Sequence, residues 1–210
     1  MNTHVFKLTL CALAALFFAG CGITRPKPDS TQYYMLAIGK WIKPDEAPYK
    51  NDLNIAVQRC DFSEYLDNSQ IATRPSREQV VYSPYHRWAE PLAGGLTRTL
   101  VVNLSTLMDN PIVLIYPNRI SGFKPDVVVY THVVTFDGEI GKDCRLALQW
   151  RITSGDGLKL LLSDGAYKKA PSGDSYASYV KALSELWDWY GDTLAQQIVQ
   201  LQKEGKISTK

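Results

Sequence analysis

Histidine and cysteine are scarce, at three and four residues in a chain of 210. His4, His86 and His132 are far apart, and no His or Cys pair has the His-x-x-x-His or Cys-x-x-Cys spacing of a zinc site. The Gly-x-Ser-x-Gly turn of hydrolases and a glycine-rich phosphate loop are both missing. No metal and no cofactor is therefore expected. Ser178-Tyr179-Val180-Lys181 matches a Ser-x-x-Lys hydrolase element, but its Lys-Thr-Gly counterpart is absent and the motif is expected inside a helix, so it reads as chance. Neither sign of charge dominates: 23 Lys and Arg stand against 21 Asp and Glu, without a basic cluster, which removes the electrostatic footprint of a nucleic-acid binder. With 45% hydrophobic and 11% aromatic residues the chain is not disordered. Internal repeats and a second-domain boundary are lacking as well.

What is present is uneven. Leu8 to Ala19 is an almost unbroken apolar run behind a single cation, Lys7. A membrane-spanning helix needs about 20 such residues and a signal-peptide core about 7 to 15, so this run fits an export signal. It ends in Phe18-Ala19-Gly20-Cys21, which resembles the lipobox of bacterial lipoproteins, with Phe18 in place of the usual Leu. The resemblance implies cleavage before Cys21 and its acylation by palmitate-type chains. Each buried methylene contributes about 0.8 kcal/mol, so two or three chains hold a protein at a membrane essentially permanently. Gly22, where an Asp would resemble an inner-membrane retention signal, favours the periplasm-facing leaflet of a Gram-negative outer membrane. The expected organisation is a signal peptide over 1–20, a lipidated, proline-containing tether over 21–32, and one folded domain over 33–205.

The folded part reads as α+β, a mostly antiparallel sheet with two long helices packed on one face. Strands are expected at Tyr33 to Ile38, Leu53 to Arg59, Ile71 to Thr73, Gln79 to Tyr82 and Ile112 to Tyr116. A meander follows. Its first strand runs from Asp126 to Phe136, with Val128, Tyr130, Val134 and Phe136 on one face and Val127, Val129 and Val133 on the other. Cys144 to Thr153 then alternates cleanly, and Ser154-Gly155-Asp156-Gly157 is a hairpin signal leading to Leu158 to Tyr167. One helix is expected to start near Trp88 with Pro91 in its first turn and a Leu92, Leu96, Leu100, Leu104 stripe, stopping at Asn110-Pro111. The other spans Ser175 to Gln202, with Tyr179, Leu183, Leu186, Tyr190, Leu194, Ile198 and Leu201 along one side. His132 reads as a hydrogen-bonded core residue. Cys60 and Cys144 sit at strand ends, where either a disulfide or two buried thiols would fit an oxidising compartment.

Several elements together resemble a known family. Tyr33-Tyr34-x-Leu36 follows soon after the acylatable cysteine, and Ile55-x-Val57 precedes Tyr65-Leu66-Asp67-x-x-Gln70-Ile71. Arg87-Trp88-Ala89-Glu90-Pro91-Leu92 opens the first long helix, with Leu100-x-x-Asn103-Leu104 inside it and Tyr116-Pro117 after the next strand. The pattern resembles the PqiC/YmbA-type auxiliary lipoproteins of ABC-type transport systems, which accompany MCE (mammalian cell entry) proteins. It departs from that family at Arg59-Cys60, where members tend to carry an apolar residue or proline.

The resemblance implies a non-enzymatic, outer-membrane lipoprotein subunit of an MCE-type intermembrane lipid transport system that supports envelope integrity. Its partners would be a periplasmic MCE-domain protein, through it an inner-membrane permease, the membrane itself through Cys21, and further copies of the chain. Docking is expected at Tyr65, Leu66, Asp67, Arg87, Trp88 and Glu90, because interface anchors favour Trp, Tyr and Arg. For Trp88, Arg87 and Glu90 the alternative is structural: a buried staple and a local ion pair between Arg87 and Glu90. Two other functions stay open from sequence, a lipid-carrying periplasmic lipoprotein and a pilot or assembly lipoprotein of another envelope complex.

Overall fold

Three long strands carry the architecture: β7 (Val127–Gly138), β8 (Asp143–Ser154) and β9 (Leu160–Pro171). In the computed structural model, which describes residues 29–39, 42–117 and 122–207, they form the expected antiparallel meander. The alternation of β8 is complete. Cys144, Leu146, Leu148, Trp150 and Ile152 are buried, whereas Gln149 and Arg151 point to solvent. Gly157 turns the β8–β9 connection at φ 76°, and a side chain on Gly155 would collide with the Pro125 carbonyl, which the built Cβ approaches to 1.7 Å.

β7 departs from simple alternation. Its register against β8 shifts between Val133 and Thr135, a bulge that adds one residue to the strand. Beyond the bulge the faces exchange. Phe136, expected alongside Tyr130 and Val134, therefore turns to the core and meets Trp187 edge-on at 6.1 Å.

The sheet is mixed rather than purely antiparallel. β2 (Ile55–Gln58) lies between β6 (Val113–Tyr116) and β7 and is parallel to both, and the two-residue β3 (Asp61–Phe62) is also parallel to β7. Parallel neighbours need long crossovers. Here the β2-to-β6 connection contains a helix and two strands of a second, three-stranded sheet, whose remaining strand precedes β2. That sheet has the order β1 (Gln32–Tyr34), β5 (Val81–Trp88), β4 (Gln70–Thr73), with β1 parallel and β4 antiparallel to β5.

The helix α1 (Leu92–Met108) begins later than expected. Residues 81–88 remain a strand because β5 is paired on both edges: Arg87 faces Tyr33 of β1 and Gln70 of β4. Pro91 then caps the helix in an extended conformation instead of lying within its first turn. Leu96, Leu100, Leu104 and Met108 are fully buried along one stripe. The stop is made by Asp109 at φ 47° and by Asn110, whose side chain donates to the Leu53 carbonyl and accepts from the Ile112 amide.

The helix α2 (Tyr176–Lys203) opens with a capping box in which Ser175 and Ser178 bond each other's backbone amides. The Ser178 hydroxyl is thus engaged in the cap, at the start of the helix rather than in its interior, and Lys181 pairs with Glu185. The helices pack on each other, α1 over β2 and β6 and α2 over β8 and β9. Their buried aromatic tips are all bonded. Trp187 donates to the Leu96 carbonyl at 3.1 Å, Tyr179 to the Ala72 carbonyl at 2.9 Å, and Tyr190 Oη lies 2.7 Å from Thr131 Oγ1.

Cys60 and Cys144 are separate buried thiols, so no disulfide joins them. Cys60 lies under α1, its amide donating to Thr97, while the Cys144 thiol points at the Tyr179 carbonyl in α2. The departure at Arg59-Cys60 is accommodated simply: Arg59 is exposed and Cys60 takes the apolar position. Burial pushes both thiols up to about 12. Neither should therefore react with a disulfide reagent at pH 8 in the folded protein, and both should react once urea unfolds it; labelling followed by mass spectrometry reads the outcome directly.

Candidate docking site

Two stretches far apart in sequence meet at one end of the β4–β5 sheet. The first is the segment from Arg59 through the 3₁₀ turn Glu64–Leu66, and the second is the junction between β5 and α1. Gln70 pairs with Arg87, the Trp88 amide donates to the Ser69 carbonyl at 2.7 Å, and Tyr82 Oη donates to the Tyr65 carbonyl at 2.8 Å. The sequence signal for docking thus fell on neighbouring segments, although the six residues play different parts.

Leu66 and Trp88 are buried, at 3% and 8% exposure, and hold the backbone rather than face a partner. Glu90 pairs with Arg98 of α1 at 2.6 Å, and Arg87 reaches Ser69 instead of forming the expected ion pair with Glu90. Asp67 is exposed beside an open groove of about 430 Å³ that also involves Arg59, Asp61, Glu64, Pro91 and Ala93. Arg87 does not line this groove. Its exposed rim carries three carboxylates, Asp61, Glu64 and Asp67, spaced three residues apart, against one guanidinium, Arg59. That spacing is visible in the sequence, although the docking expectation includes only Asp67 of the three.

Tyr65 is the residue that fixes the groove wall. Its hydroxyl donates to Asp137 Oδ2 at 2.8 Å, and Arg74 Nε donates to the same oxygen at 2.7 Å while its guanidinium lies 4.9 Å over the Tyr65 ring. Asp137 has no exposed surface. Its other oxygen lies 3.7 Å from Arg145 Nη2, an ion-pair separation too long for a hydrogen bond, and Arg145 Nη2 in turn donates to the Arg74 carbonyl at 2.9 Å. One carboxylate therefore ties the 3₁₀ turn to the β4–β5 connection and both to the β7–β8 hairpin.

Little reactive chemistry accompanies this geometry. His132 is hydrogen-bonded, to Asp61 at 2.9 Å, but it lies half-exposed on the open sheet face instead of in the core, because β7 presents Tyr130 and His132 on the side away from the helices. His86 stacks on Tyr176 at 3.8 Å and contacts Tyr34 Oη. Among the described residues no three His, Cys, Asp or Glu side chains converge as a metal-binding group, and no helix is long and apolar enough to cross a membrane. Cys21 lies outside the described residues.

Two outcomes follow from the Asp137 cluster. Asp137→Asn leaves Arg74 and Arg145 without their shared anion and should cost about 3–5 kcal/mol, measured as the shift in urea unfolding. Burial, and after it the Asp137 charge, pushes the Tyr65 phenol from 10.0 up to about 12. An unfolded phenol ionises first, so the stability from neutral Tyr65 is complete below about pH 10 and is lost as the pH rises through 12. Wild type should thus destabilise more steeply than Tyr65→Phe over that interval in parallel alkaline titrations.

Comparison with known proteins agrees with the fold and with the resemblance read from the sequence. Two curated relatives, the intermembrane transport lipoproteins PqiC of Escherichia coli (strain K12) and of Shigella flexneri, are each 27% identical over 202 residues, covering 93% of this chain and 99% of theirs. Among solved structures, a Xanthomonas campestris protein superposes with a TM-score of 0.70 at 14% identity, over 84% of this chain and 99% of that one. An uncharacterized protein superposes at 0.64 with 22% identity, over 80% and 98%. These two likenesses establish the shared fold. The model of the ABC-type transport auxiliary lipoprotein component family matches residues 41–199, which includes the groove, the Asp137 cluster and nearly all of α2, and the chain belongs to that family.

Proposed function

We propose that this chain is a non-enzymatic lipoprotein subunit of an MCE-type intermembrane lipid transport system, anchored through acylated Cys21 to the outer membrane and facing the periplasm. The observation that carries the reading is the similarity over 93% of the chain to intermembrane transport lipoproteins, joined to the family match. In this reading the protein docks a periplasm-spanning MCE-domain protein, which connects to an inner-membrane permease, and the assembly maintains the envelope.

Three features of the molecule support a docking role. The core behind the groove is filled by interdigitating leucines and aromatics, so the framework is rigid. The groove beside Asp67 is open and acid-rimmed, which suits a partner segment carrying Lys or Arg, with charge complementarity raising the rate of encounter. Confinement at the membrane raises the effective concentration of the domain for an elongated partner.

The test is capture of the MCE-domain partner by full-length protein in detergent. Charge reversal at the rim, Glu64→Arg with Asp67→Arg, should reduce capture about tenfold or more, since like-charge contacts cost several kcal/mol. Salt should weaken wild-type capture in the same direction. Undiminished capture by the folded double variant removes the groove as the docking site. Loss of membrane retention in Cys21→Ser, with the acyl mass on Cys21 in wild type, tests the anchor.

A further inference from the structure

Away from the docking groove, large apolar side chains lie in solvent where the chain enters its folded part. Tyr33 is 63% exposed, Met35 53% and Tyr85 53%. Tyr34 and Leu36, which alternate with Tyr33 and Met35, turn inward, so Tyr33 and Met35 share the outer side. The parallel register of β1 on β5 sets Tyr33 beside Arg87, and Tyr85 precedes Arg87 by two residues on the same strand. The result is an exposed stripe of two tyrosines and one methionine, with the half-buried Arg87 guanidinium beside it.

We propose that this β1–β5 face rests on the anionic phospholipid surface that holds the acyl chains of Cys21, with Tyr33, Met35 and Tyr85 in the headgroup layer and Arg87 against lipid phosphates. The proposal depends on the reading of Cys21 as an acylated anchor. Chain length supports it. Tyr33 follows Cys21 by twelve residues, a reach of about 40 Å fully extended and nearer 20 Å for a flexible chain. The stripe is therefore the first folded surface behind the anchor, and the bilayer is held within a domain's diameter of it.

Residue chemistry supports it as well. Tyrosine places an apolar ring and a polar tip across a membrane boundary, and methionine adapts to an irregular apolar environment. Arg25 and Lys27 against Asp29 leave the tether with a net positive charge of one, to which Arg87 adds another. Anionic headgroups attract both. The contact would fix the orientation of a domain that acyl chains alone leave free to rotate, presenting the acid-rimmed groove at a constant attitude.

Site-directed spin labelling tests the contact. Tyr33→Cys, Met35→Cys and Tyr85→Cys, with Leu158→Cys as the control on the 87% exposed β8–β9 hairpin, are labelled in the mature full-length chain, where Cys60 and Cys144 are buried. The chains are reconstituted into vesicles of phosphatidylethanolamine and phosphatidylglycerol. Relaxation enhancement by oxygen should exceed that by a water-soluble nickel chelate several-fold at the three positions and should be reversed at Leu158. Water-like values at all four positions, with the acyl mass present on Cys21 and the protein bound to vesicles, overturn the contact and leave the anchor intact. Absence of the acyl mass overturns the anchor reading and the proposal with it. Labels shielded only after an MCE-domain protein is added identify a protein-binding face and overturn the lipid contact.

Discussion

Asp137 carries the fully buried charge on which the arrangement of the smaller sheet depends. Its carboxylate receives the Tyr65 hydroxyl and the Arg74 guanidinium and faces Arg145, so the 3₁₀ turn, the β4–β5 connection and the β7–β8 hairpin share one anion. A buried carboxylate is costly unless surrounded by cations and donors. That cost makes the arrangement specific, because displacing any of the three segments leaves an uncompensated charge in the interior. The groove wall inherits its position from this constraint, since Tyr65 donates to Asp137 and directly follows Glu64 of the groove rim.

The larger sheet and the two helices form the platform behind it. A parallel β2 between β6 and β7 forces the chain to leave the sheet and return, and the excursion to β6 contains α1 and two of the three strands of the smaller sheet, β4 and β5. The groove and the Tyr85 end of the exposed stripe are thereby carried on an elaboration of a filled α+β core, and β1, ahead of β2, supplies the rest of the stripe. Trp187, Tyr190 and Tyr179 on α2 fasten that core through bonded aromatic tips that reach α1, β7 and β4 respectively. The proposed docking and membrane contacts both belong to surfaces of this core rather than to a cavity within it.

Much of this was legible in the residues. The strict alternation of Cys144 to Ile152 announced a half-buried strand, and the seven-residue stripe from Tyr179 to Leu201 announced α2, because burial on one face imposes a period that the sequence must carry. Asn110-Pro111 marked the end of α1. The start of α1 was misplaced, since Arg87 and Trp88 are held in β5 by partners some 17 and 54 residues upstream, Gln70 and Tyr33, and no local propensity reports such pairing. The bulge at Val134 was invisible for the same reason, and with it the inward turn of Phe136. In the candidate site, the sequence singled out two segments that the fold brings together but mixed buried Leu66 and Trp88 with exposed Asp67, and it passed over Asp61 and Glu64.

The amino-acid sequence by itself determined the α+β class, the meander, the second helix and the family resemblance, together with the expectation of an acylated Cys21. These follow from periodicity and from motifs whose residues are adjacent in the chain. Only the tertiary structure decided that β2 runs parallel to its neighbours, that Cys60 and Cys144 stay apart as buried thiols, and that Asp137 gathers Tyr65, Arg74 and Arg145. Those outcomes depend on which distant segments share the same few ångströms. Such proximity is set by the simultaneous burial of all the apolar faces and is written in no single stretch of sequence.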